Sequence, residues 1–224
     1  MSFWQTARDI ASPFLLVYAG LYPIVDPVSS APLFIGLTPG ASEQERETLA
    51  RAVARNSFFL LLGSLFVGSH VLAFFGITPP ILRVGGGIVV AALGWKLLQQ
   101  GEQSGDPLAQ GVGSHRSRPI DAFYPLTMPL TVGPGSMSVA VTLGSQYPIA
   151  PHDYAGLALG VGAAVVGLAA IAATIYLCYR YANLIVRKLG AEGTNVLVRL
   201  SAFILFCIGI QIIWSGVSVL TGKS

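Results

Sequence analysis

One pattern of three prolines occurs twice in this chain. With residues 21–32 set beside residues 123–134, Tyr22 falls on Tyr124, Pro23 on Pro125, Pro27 on Pro129 and Pro32 on Pro134 without a gap, and Ser29 faces Thr131. Both copies lie inside long apolar runs. A proline in a helix interior removes one amide donor and collides with the carbonyl four residues earlier, at about 3 kcal/mol or more. Three of them within ten residues stop a helix. The carbonyls released would be those of Ala19, Pro23 and Val28 in the first copy, and of Asp121, Pro125 and Leu130 in the second.

Those runs lie in a membrane. The 224 residues are 53% hydrophobic and only 10% charged, against about 25% charged in a soluble domain, so water is not the solvent for most of the surface. Disorder, a disulfide scaffold and a nucleic-acid-binding domain are excluded by the same arithmetic. Six runs are long enough to span: about 12–37, 56–75, 80–98, 122–143, 154–179 and 196–220. At membrane depth, unpaired backbone is tolerated only where protein buries it or it lines a wet cavity. The doubled proline pattern therefore predicts two broken helices around a polar site. A plain kink in two packed helices is the competing explanation, but a kink requires neither the flanking hydroxyls nor the duplication.

Ten of the thirteen Lys and Arg residues fall on one side of the alternating loops: Arg46, Arg51, Arg55, Lys96, Arg116, Arg118, Arg180, Arg187, Lys188 and Arg199. The other side holds Arg8, Arg83 and Lys223. Cytoplasmic loops favour such residues, which places both termini outside. The Gly-, Ser- and Gln-rich stretch at 101–118 reads as a flexible cytoplasmic linker, dividing a first three-span repeat (1–100) from a second (119–224). Arg83 and Arg199 open the third and sixth spans alike. Three spans per half force the second half to enter from the opposite face. The expected fold is an all-α membrane protein of six transmembrane helices, arranged as two inverted-topology repeats with a proline-broken first helix in each.

The candidate substrate-binding residues follow from the breaks: Pro23, Asp26, Pro27, Ser29, Ser30 and Pro32 in one half, and Pro125, Thr127, Pro129, Thr131, Gly133, Pro134, Gly135 and Ser136 in the other. Ser29, Ser30 and Thr131 suit helix caps, and Pro32 and Pro134 suit first turns. Helix starts offer free amides and a positive dipole. A zwitterion fits, its carboxylate at the helix starts and its ammonium at the released carbonyls. Asp26 is the deepest carboxylate, and an intramembrane acid is by default a functional candidate. It can attract an ammonium group, take up a coupling proton or fix the break through nearby amides.

Arg83 and Arg199 can pair with charges or snorkel to the headgroups. His70 reads as a packing or interface residue rather than a proton relay. Trp95 and Trp214 suit interfacial anchoring, and Gly85, Gly86, Gly87, Gly156, Gly160, Gly162 and Gly167 suit close helix packing. Cys178 and Cys207 lie singly in apolar runs and read as packing thiols. The apolar run after Arg8 and Asp9 continues into the proline motif and is not read as a secretory signal.

The strings Tyr22-Pro23-Ile24-Val25-Asp26-Pro27 through Pro32-Leu33-Phe34, Arg83-Val84-Gly85-Gly86-Gly87-Ile88, and Phe123 through Ser136 resemble the MarC family of bacterial and archaeal membrane proteins over nearly the whole chain. The resemblance implies six spans in the inner membrane. Through the family's SnatA-type members it implies transport of small neutral amino acids such as glycine and alanine, driven by an ion gradient. Family members often carry Asn at the positions of Asp26 and Ser30, so Asp26 opens a proton or cation role here.

The leading expectation is a secondary transporter with alternating access. A passive channel or exporter would need a continuous polar lining, and the second and fifth spans offer little. An intramembrane enzyme is disfavoured: Ser136 lacks the Gly-x-Ser-x-Gly elbow, and one deep Asp makes no aspartyl dyad. A non-transporting membrane partner protein is the remaining rival. No cofactor or metal is expected beyond a coupling ion, H+ or Na+. The expected partners are a small neutral amino acid and the lipid bilayer, with a homo-oligomer left open and nucleic acid excluded.

Overall fold

A computed structural model describes residues 3–100, 121–145 and 154–222, which form helices and short connections. The expected linker at 101–118 lies outside the described residues. Helix α1 (Phe3–Val25) and helix α2 (Pro27–Leu37) are one apolar run broken at Asp26, where φ is 40° and ψ is 63°. The axes bend by 42° there. Pro27 bars its predecessor from the right-handed helical region, and Asp is among the few residues that enter the left-handed one. Pro27 itself occupies the first position of α2, where a missing amide hydrogen costs nothing.

The cap of α2 is not Ser29 or Ser30. It is Asp26, whose Oδ1 accepts from the Ser29 amide at 3.4 Å. Both serines lie inside the helix, because Pro27 restarts it before they are reached. Pro32 likewise sits in the body of α2 and not in its first turn.

Helix α3 (Glu43–Phe66) begins thirteen residues before the expected apolar run at Asn56. A capping box starts it: the Ser42 hydroxyl accepts from the Glu45 amide at 3.2 Å, and the Glu45 carboxylate accepts from the Ser42 amide at 2.8 Å. Ser42→Ala should cost about 1 kcal/mol and lower the melting temperature in detergent by about 2–4 °C. An unchanged melting curve would show that tertiary packing alone sets this helix start. Helix α4 (Gly68–Phe74) continues the run after a break at Val67, and α5 (Pro79–Gln100) follows.

The second proline pattern breaks more deeply than the first. Residues Ala122–Thr131 form a wide π-type segment interrupted at Tyr124 (φ −123°, ψ 125°) and Met128 (φ −119°, ψ 122°). Each precedes a proline, and each is extended for the reason that Asp26 is non-helical. The Tyr124–Pro125 peptide is cis. Helix α6 (Pro134–Gly144) then starts with Pro134 at its first position. Its cap is Gly133 rather than Thr131, and no side chain closes it. Helix α7 (Tyr154–Arg180) and helix α8 (Ala182–Leu220) complete the chain. Helix α8 runs back through most of the stretch between the fifth and sixth expected runs and is interrupted only at Gly190, where φ is 67° and ψ −179°.

Among the described residues, four helical stretches are long and apolar enough to cross a bilayer: Glu43–Phe66, Pro79–Gln99, Leu159–Arg180 and Glu192–Leu220. The bent pair α1–α2 makes a fifth. The run expected as the fourth span divides into pieces of 10 and 11 residues, each shorter than the roughly 20 a single spanning helix needs.

Two packing units hold the chain together. Leu21, Phe34, Leu61, Leu126, Leu168 and Tyr179 bring α1, α2, α3, the π segment and α7 into one core. Helices α5 and α8 pair through glycines, with Gly87 lying against Gly209 and Ile213, and Gly94 against Phe206. The outer faces are apolar, with Phe59 60%, Val166 58% and Trp214 67% exposed; helices that are greasy on both sides need lipid as their outer solvent. Cys207 belongs to that outer face and is not a core thiol, whereas Cys178 is half-buried.

Candidate functional site

The two breaks meet at one cavity of about 200 Å³. From the first break it is lined by Asp26, Ser29 and Ser30, and from the second by Thr131, Gly133, Gly135 and Ser136. Helix α5 adds Val90, Leu93, Lys96 and Leu97, and α8 adds Val198, Ser201, Ala202 and Leu205. Most of the wall is thus aliphatic, with a few hydroxyls and two ionisable side chains. The volume far exceeds the roughly 10–15 Å³ that one water requires.

Each proline break gives this site a different chemistry. At the first, the carboxylate of Asp26 already occupies the amide of Ser29, and the Ser30 amide bonds the Asp26 carbonyl at 3.1 Å. The Ser29 hydroxyl donates to the Ser201 hydroxyl of α8. This end presents a carboxyl group and hydroxyls. At the second, α6 opens on Gly133-Pro134-Gly135 with no capping side chain. A side chain at Gly135 would strike Val90 of α5. A bare helix start carries about half a positive charge and points amides outward. Lys96 adds a full one to the same cavity.

The threonines of the π segment are spent on the backbone. Thr127 donates to the Ala122 carbonyl at 2.7 Å and accepts from the Asn56 side chain at 3.5 Å. Thr131 donates to the Leu126 carbonyl at 2.7 Å. A hydroxyl has one hydrogen to give, so the contact of 2.7 Å between Thr131 and the Tyr179 hydroxyl is a bond donated by Tyr179. Main chain loosened by the prolines is in this way satisfied by side chains five residues on. Ser136 similarly donates to the Gly133 carbonyl at 3.0 Å.

Seven of the sequence-predicted residues therefore share the cavity wall: Asp26, Ser29, Ser30, Thr131, Gly133, Gly135 and Ser136. Pro23, Pro27, Pro32, Pro125 and Pro134 shape the breaks without forming that wall, Thr127 is buried away from it, and the side chain of Pro129 lies outside the described residues. Arg83 and Arg199 do not line it, although Val198 and Ser201 flank Arg199 on the helix that does. His70 is exposed on α4, its Nδ1 3.1 Å from the carbonyl of Phe66.

Sequence reasoning missed Lys96, Ser201 and Tyr179. Lys96 enters the sequence reading only as a loop-flanking charge, yet it lines the cavity. Ser201 follows by two residues the Arg199 that opens the sixth expected span. Tyr179 carried no signal beyond its place at the end of a span.

The model of the MarC family of integral membrane proteins matches residues 11–221. Among curated proteins, the chain is similar to the membrane protein YvbG of Bacillus subtilis (strain 168), 30% identical over 89% of this chain and 92% of that one. It is also similar to the inner membrane protein MarC of Salmonella typhimurium and of Citrobacter koseri, each 29% identical over 88% of this chain and 90% of the relative. No solved structure matches the chain. A family model spanning the chain from α1 to the end of α8 leaves one conclusion: this protein belongs to the MarC family of integral membrane proteins.

Proposed function

We propose that the chain is a secondary transporter of small neutral amino acids of the glycine and alanine type, working by alternating access in the inner membrane. The observation that carries this reading is the single cavity lined by both proline breaks, with Asp26 and Lys96 in its wall. A neutral amino acid is a zwitterion with a short apolar side chain. Its ammonium would face Asp26 and the hydroxyls of Ser29 and Ser201, and its carboxylate would face Lys96 and the uncapped start of α6. The aliphatic wall leaves room for a methyl group and offers a larger polar side chain no partner.

In this reading the six spans are α1–α2, α3–α4, α5, the π segment with α6, α7, and α8. Each half opens on its proline-broken span, and the halves are inverted with both termini outside. Inverted repeats with discontinuous helices at the midplane support alternating access by rocking one half against the other. The Salmonella relatives' description as inner membrane proteins supports the location.

The test is uptake of labelled glycine and alanine by purified protein in liposomes, with proton and sodium gradients imposed separately. Uptake is expected with one gradient and not the other. The double variant Ser29→Ala with Thr131→Ala should suppress uptake while the protein still elutes as a folded peak. Undiminished uptake in that variant would remove the two hydroxyls from the site. No uptake under either gradient would remove the amino-acid reading.

A further inference from the structure

A second cavity, of about 320 Å³, opens at the end of the bundle where α3, α7 and α8 meet. Glu43, Arg46, Glu47, Arg180, Asn183 and Arg187 supply its polar and charged groups, beside Tyr179, Tyr181 and Leu184. Four of them are engaged. Arg46 donates to the Thr38 carbonyl at 2.9 Å and to Asn183 at 3.3 Å, while Glu47 pairs with Arg180 at 2.8 Å. Glu43 and Arg187 have no hydrogen bond or ion pair among the described residues, so the basin presents one free carboxylate and one free guanidinium. The central cavity offers the same pair of signs in Asp26 and Lys96.

One residue stands between the two cavities. Tyr179 lines the basin, is 1% exposed, and donates its hydroxyl to Thr131 in the wall of the central cavity. Its ring stacks on Phe34 of α2, with centroids 4.6 Å apart and planes 18° apart. Tyr179 is thus held by both broken segments at once, by a ring contact to α2 and a hydrogen bond to the π segment. A shift of either segment disturbs one of these holds.

We infer that the basin at Glu43 and Arg187 is a second station for the same zwitterionic solute, and that the Tyr179 side chain is the partition between it and the central cavity. The inference rests on the transport reading for the identity of the solute, but the partition can be tested without it. The free charges of the basin take the ammonium and carboxylate of the solute in the open. Passage inward requires the Tyr179–Thr131 bond to break.

The experiment uses the full chain in membrane vesicles with Cys178→Ala and Cys207→Ala, carrying either Ser201→Cys in the central cavity or Leu184→Cys in the basin. A membrane-impermeant methanethiosulfonate reagent is applied from the basin side. Leu184→Cys should react quickly in every background. Ser201→Cys should react slowly, and at least tenfold faster once Tyr179→Phe or Thr131→Val removes the bond while keeping the bulk. Equal rates in all backgrounds would overturn the partition. Alanine should slow labelling at both reporters, and Glu43→Gln with Arg187→Gln should abolish its protection of Leu184→Cys alone. Protection at Ser201→Cys only would overturn the second station, and protection at neither reporter would overturn this inference and the amino-acid reading together.

Discussion

Asp26→Asn should lower alanine uptake about tenfold, and Asp26→Ala at least about a hundredfold. Hydrogen bonds to a charged group contribute about 1.5–3 kcal/mol and neutral ones about 0.5–1.5. Losing the charge but keeping an acceptor oxygen therefore costs about 1.4 kcal/mol, one factor of ten in binding. Asparagine also keeps the rest of the local structure. It caps helices as well as aspartate does, and it tolerates the left-handed backbone, φ 40°, that this position requires.

Alanine keeps none of this. It removes the acceptor, the cap on Ser29 at about 1 kcal/mol, and adds roughly 1–2 kcal/mol for a side chain forced left-handed. Melting temperature separates the two losses. Asp26→Asn should melt with the parent protein and Asp26→Ala should not. The asparagine variant also divides the roles of the carboxylate: retained response to an imposed proton gradient assigns Asp26 to the ammonium group, and a lost response assigns it to the proton. Parental uptake in Asp26→Ala would exclude Asp26 from the site altogether.

What could be read in advance was whatever a residue does to its own neighbourhood. Proline acts on its own amide and on the residue before it, so the positions of both breaks were visible in the doubled Tyr-Pro motif. The same local logic explains the errors. Ser29 and Ser30 are good caps in isolation, but Pro27 restarts the helix ahead of them. Hydropathy reports immersion in lipid and not hydrogen bonding, so it ends the apolar runs short of the first three turns of α3 and of the stretch of α8 around Arg187, although both backbones are helical. The capping box at Ser42 and Glu45 was the signal that would have extended α3.

Contacts distant in sequence left no trace of that kind. Ser29 meets Ser201 across 172 positions and Thr131 meets Tyr179 across 48. Nothing about a serine following Arg199, or a tyrosine ending an alanine-rich helix, distinguishes it from a packing residue. Lys96 left no such trace either: a count of charges along the chain says nothing about which of them lines the cavity.

Gly94→Ala should lower the melting temperature by about 2–12 °C and suppress uptake with it. A methyl group there would stand 2.5 Å from the backbone nitrogen of Phe206 and 2.9 Å from the Ala202 carbonyl. These are backbone atoms, so no rotamer relieves the clash and α5 must move from α8. Overpacking of this kind typically costs 1–3 kcal/mol, or about 2–4 °C per kcal/mol in a chain of this size. In a bilayer the pairing is sensitive to distance, because lipid tails are as apolar as the helices and close packing supplies much of the attraction. Transport should suffer as well, since the same two helices carry Lys96 and Ser201 into the cavity. Gly162 of α7 is the matched control: its methyl would meet nothing within 4 Å, and Gly162→Ala should be neutral or gain up to about 1 kcal/mol from helix propensity. Equal melting temperatures for the two alanine variants would mean that α5 and α8 are not held at the distance their glycines permit, and the cavity between them would lose two of its walls.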